Sequence, residues 1–278
     1  MNASVAEVRM QALRIRRNIL RLIKAGKAGH VGGALSAADL TAALFFAVMR
    51  MRPEQPDWPD RDRFVLSAGH KAMLLYATLA ARGFIPEKLL DTYGDFGSDL
   101  PGHPDMHRLP GVEASTGALG HGLPLAVGMA LGLRLAGRGS RVFALMGDGE
   151  QAEGSIWEAA AAASHHQLSN LVAIVDCNGL QISGPTVEVM NYEPLHERWR
   201  AFGWEVRRID GHDLKLILNT LATVPFHPGR PSLIVADTVK SRGIPFMEGK
   251  VEYHYWKPPA AELARAEREL EAVAEVPA

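Results

Sequence analysis

The sequence predicts an α/β fold in which a parallel sheet carries helices on both of its faces. Five short apolar segments alternate with helical segments along the 278 residues. Strands that alternate with helices form βαβ units, whose parallel strands are covered by helices on both sides. The hydrophobic content of 47% is enough for a substantial core, and no internal repeat or low-complexity segment interrupts the pattern.

Two helices are predicted to precede the first strand. Apolar residues share one broad face of residues 4–25, which predicts an amphipathic helix that ends near Gly26. A second helix is expected to begin near Ser36, because serine is a good N-cap residue. Its run from Leu40 to Met49 is apolar nearly all round, which predicts a buried position.

The remaining elements follow in regular alternation after an irregular segment that contains three prolines. They are a strand at 63–66, a helix at 71–81, a helix at 123–136, a strand at 141–146, a helix at 153–166, a strand at 171–176, a helix at 193–201, a strand at 204–209, a helix at 213–222 and a strand at 232–237. The Gly- and Pro-rich region 94–124 has little periodicity, and a loop of this length in a compact domain is usually functional. We expect one domain over residues 1–257 and a peripheral, charged helical tail over residues 258–278.

Charge and cysteine content restrict the class of ligand. The formal net charge is −1 and the isoelectric point is near 6.8, with no basic patch that would favour nucleic acid or an anionic membrane. The longest apolar run is too short to span a bilayer. Cys177 is the single cysteine, which excludes an internal disulfide and fits a reducing compartment. We therefore expect a cytoplasmic protein that binds a small molecule.

A glycine-rich turn between a strand and a helix gives the first candidate site. The sequence from Gly147 to Ala152 fits the G-x-G-x-x-A pattern of a dinucleotide-binding loop, and Asp176 ends the next strand where a ribose-binding acid would be expected. An NAD-binding oxidoreductase is therefore one hypothesis. Against it, the carboxylate of Asp148 between the two glycines would repel a pyrophosphate by several kcal/mol, to order of magnitude.

A divalent cation would turn this repulsion into coordination. Asn178 stands thirty residues after Asp148, at the end of the following strand. The carboxyl ends of neighbouring parallel strands meet at one edge of a sheet, so the two side chains can share an ion. Their oxygens, with a backbone carbonyl of the next turn such as that of Leu180, suit Mg²⁺ or Ca²⁺. Either residue alone would be read as an ordinary turn former.

These residues carry a resemblance to the thiamine diphosphate enzymes and, within them, to the transketolases. The matching stretches are "KAGHVGGALSAADL", "RFVLSAGHKAMLLYATL", "LPGHPDM", "STGALGHGLPLAVGMALG", "GDGEQAEGSIWEAAAAASHHQLSNLVAIVDCNGLQISG" and "KSRGIPFMEGKVEYHYWKPP". They occur in the family's order and extend from about residue 20 to residue 255. The resemblance implies the diphosphate-binding domain fold of these enzymes.

The resemblance also implies roles for individual residues. Asp148, Asn178 and the carbonyl of Leu180 would hold Mg²⁺, or Ca²⁺ or Mn²⁺ in its place. The expected cofactor contacts are His70, Gly117, Leu119, Gly147, Asp148, Gly149, Glu153, Asn178, Ile182 and His254. The expected catalytic residues are His30, His70, His103 and His254, together with Glu153 and Glu158, which would relay protons near a subunit contact. Histidine suits the proton transfers because its ordinary pKa lies near 6.5.

Other histidines are expected to be ordinary surface residues. They are His107, His165, His166, His196, His212 and His227. His121 stands where many transketolases have glutamine, and Tyr255 stands where the family often has glycine.

The sequence lacks one half of a transketolase. The pyrimidine-binding domain, with the glutamate that protonates the aminopyrimidine, has no counterpart in this chain. The resemblance therefore implies the N-terminal subunit of a split transketolase, which is active only with a C-terminal partner subunit, in an α2β2 assembly. It would transfer a two-carbon ketol unit from a ketose or ketose phosphate to an aldose. The alternatives are one chain of a thiamine diphosphate enzyme that acts on a 2-oxo acid, the NAD-binding oxidoreductase, and a non-catalytic binding module.

Overall fold

A five-stranded parallel sheet organises the computed structural model, which describes residues 3–274. The strands are β1 (Arg63–Leu66), β2 (Val142–Gly147), β3 (Leu171–Cys177), β4 (Glu205–Asp210) and β5 (Ser232–Asp237). Their order across the sheet is β1-β2-β3-β5-β4, and every neighbouring pair is parallel. Gly147 at the end of β2 pairs in register with Asp176 of β3. The loops that follow β2 and β3 therefore leave the sheet side by side.

Helices cover both faces of this sheet, as the sequence predicts. They are α1 (Val5–Gly26), α2 (Val31–Ser36), α3 (Ala38–Ala43), α4 (Ala72–Arg82), α5 (Gly122–Leu135), α6 (Gly154–His165), α7 (Thr186–Val189), α8 (Leu195–Ala201), α9 (Leu214–Leu221) and α10 (Ala260–Ala274). A π-helical turn, Leu44–Val48, continues α3. None of the helices in residues 3–274 has the length and the apolar character needed to cross a membrane.

The core consists of two apolar clusters, one on each face of the sheet. Successive residues of β2 alternate between them: Phe143 and Leu145 pack with α1, α3 and α4, whereas Ala144 and Met146 pack with α5 and α6. This alternation follows from the two-residue period of a strand. It confirms the predicted sheet with helices on both faces.

The first helix begins and ends as expected. Ser4 accepts a hydrogen bond from the backbone N–H of Glu7, whose carboxylate accepts one from the N–H of Ser4, which forms a capping box. The helix ends at Gly26, and Lys27 follows in the left-handed region with φ of 59°. The predicted tail helix, α10, packs along α1 through the buried Ala266 and Leu270. The domain boundary at residue 257 stays a prediction.

Two details of the helical prediction are wrong. Ser36 does not begin the second helix but ends α2, because its hydroxyl donates a hydrogen bond to the Asp176 carboxylate at 2.6 Å. A buried carboxylate of another element has therefore taken the group that an N-cap would use. The helix expected at 193–201 begins at Leu195, and the short α7 before it was not predicted.

Candidate cofactor and metal site

A cavity of about 270 Å³ opens where the loops after β1, β2 and β3 meet. It is lined by eleven of the residues that the sequence assigns to the site: His30, His70, Gly117, Leu119, Gly147, Asp148, Gly149, Asn178, Leu180, Ile182 and His254. The structure therefore brings residues from separate segments of the chain to one place. Their assigned roles are taken up under the proposed function.

Asp148 lies at the bottom of this cavity and is 6% exposed. One carboxylate oxygen accepts a hydrogen bond from the N–H of Gly149 at 2.8 Å. The other accepts from the N–H of Gly179 at 2.6 Å and from the Thr186 hydroxyl. Burial, together with the nearby negative charge of Asp176, raises the pKa of Asp148. Within residues 3–274 this carboxylate has hydrogen-bond donors but no ion pair, so a cation would stabilise its charged form.

Asn178 and Leu180 present oxygen atoms beside Asp148. The Asn178 side-chain oxygen accepts a hydrogen bond from the N–H of Leu180 at 3.2 Å, and its amide nitrogen donates to Asp176. The Leu180 carbonyl accepts a hydrogen bond from the ammonium of Lys240 at 3.0 Å. A carboxylate, an amide oxygen and a carbonyl are the hard ligands that Mg²⁺ and Ca²⁺ prefer.

These three oxygens cannot complete a coordination sphere alone. No group of three or more His, Cys, Asp or Glu side chains in residues 3–274 is placed to hold a metal ion. Octahedral Mg²⁺ commonly takes one or two carboxylates together with substrate phosphates and water. The donor set therefore fits a cation that is shared with a diphosphate.

The cavity also has a donor suited to an anion. The side-chain nitrogen of Gln181 is buried beside Gly149 and has no hydrogen-bond partner in the described part of the chain. A Cβ atom on Gly149 would lie 2.9 Å from the Gln181 side chain, so glycine fits best there. An anionic oxygen in the cavity would satisfy this donor.

Asp176 has no access to a ribose, which makes the dinucleotide interpretation wrong at this residue. Its carboxylate is fully buried and accepts hydrogen bonds from Lys71 at 2.6 Å, from Ser36 and from Thr238. Burial by itself would raise the pKa of Asp176, but the ammonium of Lys71 and these hydrogen bonds hold it below its ordinary value. Asp176 thus anchors the loops around the cavity.

Four imidazole rings lie together at one side of the cavity. The ring of His30 lies 5.3 Å from that of His70, 5.5 Å from that of His254 and 6.4 Å from that of His103. Burial, followed by neighbouring positive charges, lowers the pKa of His30 and lowers those of His70 to about 2 and His254 to about 3. These three rings are therefore neutral at pH 7, and each can donate one hydrogen bond and accept another.

The proton position on His254 follows from its neighbour. Its Nδ1 lies 2.9 Å from the ammonium of Lys240, which can only donate. Nδ1 therefore accepts, and Nε2 carries the proton. Burial, with the charge of Lys71, lowers the pKa of Lys240 to about 8, so this side chain is still mostly protonated at pH 7. Tyr255 packs against the ring of His30 with its centroid 4.9 Å away.

Three predicted site residues do not line the cavity. His103 lies behind His30 and against Gly117. Glu153 contacts Gly120, and Glu158 is exposed on α6. The roles assigned to these residues stay predictions.

Four residues that line the cavity were missed by the sequence interpretation: Lys71, Glu150, Gln181 and Lys240. Lys71 and Glu150 become visible only through buried contacts with distant segments. Lys240 stands in the quoted "KSRG" stretch, so its charge beside an expected anion was an available signal.

Two histidines assigned to the surface are partly buried. His212 hydrogen-bonds to Asp39 at 2.8 Å and is a component of a buried network. The Nδ1 of His196 is enclosed without a partner among the described residues. The solvated interpretation was wrong for His212 because its partners lie 27 and 173 residues away in sequence.

Comparison with known proteins gives one consistent family. The family profile described as "Transketolase, thiamine diphosphate binding domain" matches residues 8–272. One of the two chains of an apulose-4-phosphate transketolase from Phocaeicola vulgatus, named as a subunit, is 44% identical over 266 residues, which cover 96% of this chain and 94% of the relative. The "6-deoxy-6-sulfo-D-fructose transketolase subunit SqwG" of a Clostridium species is 42% identical, over 95% of this chain and 99% of the relative.

Solved structures agree with this result. The transketolase from Leishmania mexicana has a TM-score of 0.90 and 31% identity over 98% of this chain, which corresponds to 42% of that protein. The transketolase from Campylobacter jejuni gives the same TM-score over 43% of its length. The chain thus spans about two fifths of the length of these transketolases, but nearly the whole length of the relatives named as subunits. It therefore belongs to the transketolase family of transferases, as a subunit with the thiamine diphosphate-binding domain.

Proposed function

We propose that this chain is the N-terminal subunit of a two-chain transketolase, which transfers a two-carbon ketol unit from a ketose or ketose phosphate to an aldose. The observation that carries the proposal is the cavity itself. It combines an oxygen-ligand set at Asp148, Asn178 and Leu180 with neutral imidazoles at its side. A diphosphate-bridged cation and a hydroxylated substrate would use these two groups of residues respectively.

The diphosphate end of the site would be held from three sides. Asp148, Asn178 and the carbonyl of Leu180 would coordinate Mg²⁺, and the backbone at Gly147 and Gly149 would allow close approach of phosphate oxygens. Lys240 and Gln181 would donate hydrogen bonds to those oxygens. His70, Gly117, Leu119 and Ile182 also line the cavity, where they would contact the rest of the cofactor.

The imidazoles would handle the protons of the substrate. When bound, thiamine diphosphate supplies the electron sink for breaking a carbon–carbon bond. Cleavage of a ketose requires a hydroxyl group to lose its proton, and a neutral imidazole can accept it and later return it. His30 and His103 would face the donor channel, while His254 would donate from Nε2. Glu153 and Glu158 would act at the contact between subunits.

The subunit would require a partner. In the family resemblance, the aminopyrimidine of the cofactor is bound by a domain that the described chain does not contain, so a C-terminal subunit would supply it. The relatives named as subunits have the same length class as this chain and support a divided enzyme. We propose an α2β2 assembly in the cytoplasm.

Isothermal titration calorimetry tests the cofactor assignment. We expect thiamine diphosphate to bind in the presence of Mg²⁺ and far more weakly in EDTA, whereas NAD should not bind under either condition. Coexpression with the C-terminal subunit encoded by a neighbouring reading frame should then give ketol transfer. The donors assayed should include fructose 6-phosphate, apulose 4-phosphate and 6-deoxy-6-sulfofructose, and 2-oxo acids should be tested in parallel. Turnover of a 2-oxo acid alone would contradict the proposal.

A further inference from the structure

The loop after β5 brings Lys240 to the cavity from outside the sheet edge. Its side chain is buried, and its ammonium lies 3.0 Å from the Leu180 carbonyl and 2.9 Å from Nδ1 of His254. Lys240 therefore contacts both the expected diphosphate end and the imidazole side of the site. Its position depends on the turn Val239–Arg242, which we call the lysine turn.

The lysine turn has an unfavourable backbone conformation. Ser241 has φ of 65°, in the left-handed region that side chains other than glycine seldom adopt. Its hydroxyl is buried without a hydrogen-bond partner in the described part of the chain. Strained residues of this kind persist only where surrounding contacts fix them.

A buried network supplies such contacts on the side away from the cavity. Arg16 donates two hydrogen bonds to the Asp39 carboxylate, at 2.8 and 2.7 Å, and a third from Nε to the carbonyl of Arg242. The charge of Asp39 is thereby stabilised although the residue is only 7% exposed. One end of the lysine turn is fixed directly by this arginine.

His212 fixes the other end of the lysine turn. Its Nε2 accepts a hydrogen bond from the N–H of Val239 at 2.8 Å. Nε2 therefore has no proton, and Nδ1–H donates to the Asp39 carboxylate at 2.8 Å. This ring can meet both requirements only in one tautomer, which Asp39 selects.

We propose that Arg16, Asp39 and His212 form a positioning network that holds the lysine turn, and through it Lys240, in the cavity. None of the three lines the cavity, so they would act on the site through the backbone rather than by contact. The relevance to cofactor binding rests on the proposed function. The mechanical part of the inference, that His212 holds the amide of Val239, does not.

Two substitutions of His212 separate the two hydrogen bonds. In His212→Gln the side-chain oxygen can reach the place of Nε2 and accept from Val239. In His212→Asn the shorter amide can replace only the donor to Asp39. The exposed His227, substituted to Asn, serves as the matched control. Hydrogen–deuterium exchange of the peptide that contains Val239, and calorimetric titration with thiamine diphosphate and Mg²⁺, are measured for each protein.

We expect the amide of Val239 to exchange about 10-fold faster or more in His212→Asn, and the Kd for thiamine diphosphate to rise about 10-fold, the lower limit for loss of an outer-shell partner. His212→Gln and the control should match the unsubstituted protein in both measurements. Recovery by glutamine but not by asparagine is specific to a positioning role, because general destabilisation would affect both variants.

Unchanged exchange in His212→Asn would overturn the inference, and so would faster exchange with an unchanged Kd. If His212→Asn does not fold, His212→Gln decides: retention of both properties supports the network, and loss of either refutes it. If the unsubstituted protein binds no thiamine diphosphate, the proposed function fails, and the exchange result alone then decides the network.

Discussion

At the scale of single residues, the charge of Asp148 is the feature on which the site depends. Asp148→Asn keeps the side-chain shape and one acceptor oxygen but removes the negative charge expected to bind the cation. We expect the Kd for thiamine diphosphate in Mg²⁺ to rise by about 100-fold, which corresponds to about 2.7 kcal/mol. Calorimetric titration measures this, and far-ultraviolet circular dichroism should show an unchanged fold.

The control for this prediction is Asp57→Asn, since Asp57 is an exposed aspartate far from the cavity in sequence. Its Kd should equal that of the unsubstituted protein. Equal affinities for Asp148→Asn and the control would return the Gly-Asp-Gly sequence to the status of an ordinary turn.

Glu150, which the sequence interpretation missed, joins three loops of the site. One of its oxygens accepts from the Ser67 hydroxyl and the N–H of Gly120, and the other accepts from the N–H of Gly147. Glu150→Gln replaces one acceptor by an NH₂ group, which leaves a buried N–H without a partner. We expect the free energy of unfolding in urea to fall by about 1–3 kcal/mol.

The exposed Glu54, substituted to Gln, is the control for Glu150. Substitutions at such surface positions usually change stability by less than about 0.5 kcal/mol. A loss of that size in Glu150→Gln would show that its three hydrogen bonds contribute little.

The residues of the site were predictable to the extent that their chemistry is local in sequence. Asp148 was identified because a carboxylate between two phosphate-turn glycines is electrostatically unfavourable without a cation. Lys71 was not identified, because its partner Asp176 lies 105 residues away and only the folded sheet brings them together. His212 failed for the same reason, since a buried histidine and a surface histidine look alike in sequence.

At the scale of elements, each strand was predicted to within about two residues because apolar segments bounded by polar turns are a strong signal. The start of the second helix was wrong because Ser36 has a tertiary partner that competes with capping. The π-helical turn after α3 has no corresponding sequence pattern. Local rules therefore located the elements, and distant buried groups changed their ends.

Asp62 connects the beginnings of two strands and provides a test by pH. Its fully buried carboxylate accepts hydrogen bonds from the guanidinium groups and backbone N–H groups of Arg50 and Arg141. Burial alone would raise the pKa of Asp62, but these donors hold it below the ordinary value. A carboxyl whose folded-state pKa is lowered contributes stability above its unfolded pKa of about 3.9, and that stability is lost as the pH falls further.

We therefore expect the protein to lose stability between about pH 5 and pH 3, with a smaller loss in Asp62→Asn because the titrating group is gone. At pH 7 the variant should be less stable by about 3 kcal/mol, since two guanidinium groups lose their charged partner. Urea unfolding at pH 7, 5, 4 and 3 measures both effects. Asp60→Asn, an exposed aspartate paired with Arg138, should behave like the unsubstituted protein; identical acid profiles for all three would refute the assignment.

At the scale of the whole molecule, the described chain has a surface that suits a partner protein. Helix α5 is composed almost wholly of apolar residues, yet Leu125, Gly128, Gly132 and Leu135 are exposed along it. The helix begins three residues after Leu119, which lines the cavity. A partner that completes the cofactor site would therefore cover this face. Burial of such an exposed apolar face is the usual driving force for association.

Gly132→Leu tests whether the C-terminal subunit covers α5. A Cβ at Gly132 meets no atom within 4 Å, so the isolated chain can accept the larger side chain, and leucine favours a helix by about 0.8–1.0 kcal/mol over glycine. The same side chain would keep a partner from approaching the helix backbone. We expect the isolated variant to be as stable as the unsubstituted chain or more so, while coexpression with the C-terminal subunit yields no complex by size-exclusion chromatography with light scattering. Gly139→Leu, at another glycine with open space around it, should assemble normally. Because stability and assembly are expected to change in opposite directions, loss of complex cannot be attributed to misfolding, and normal assembly of Gly132→Leu would assign the partner to a different face.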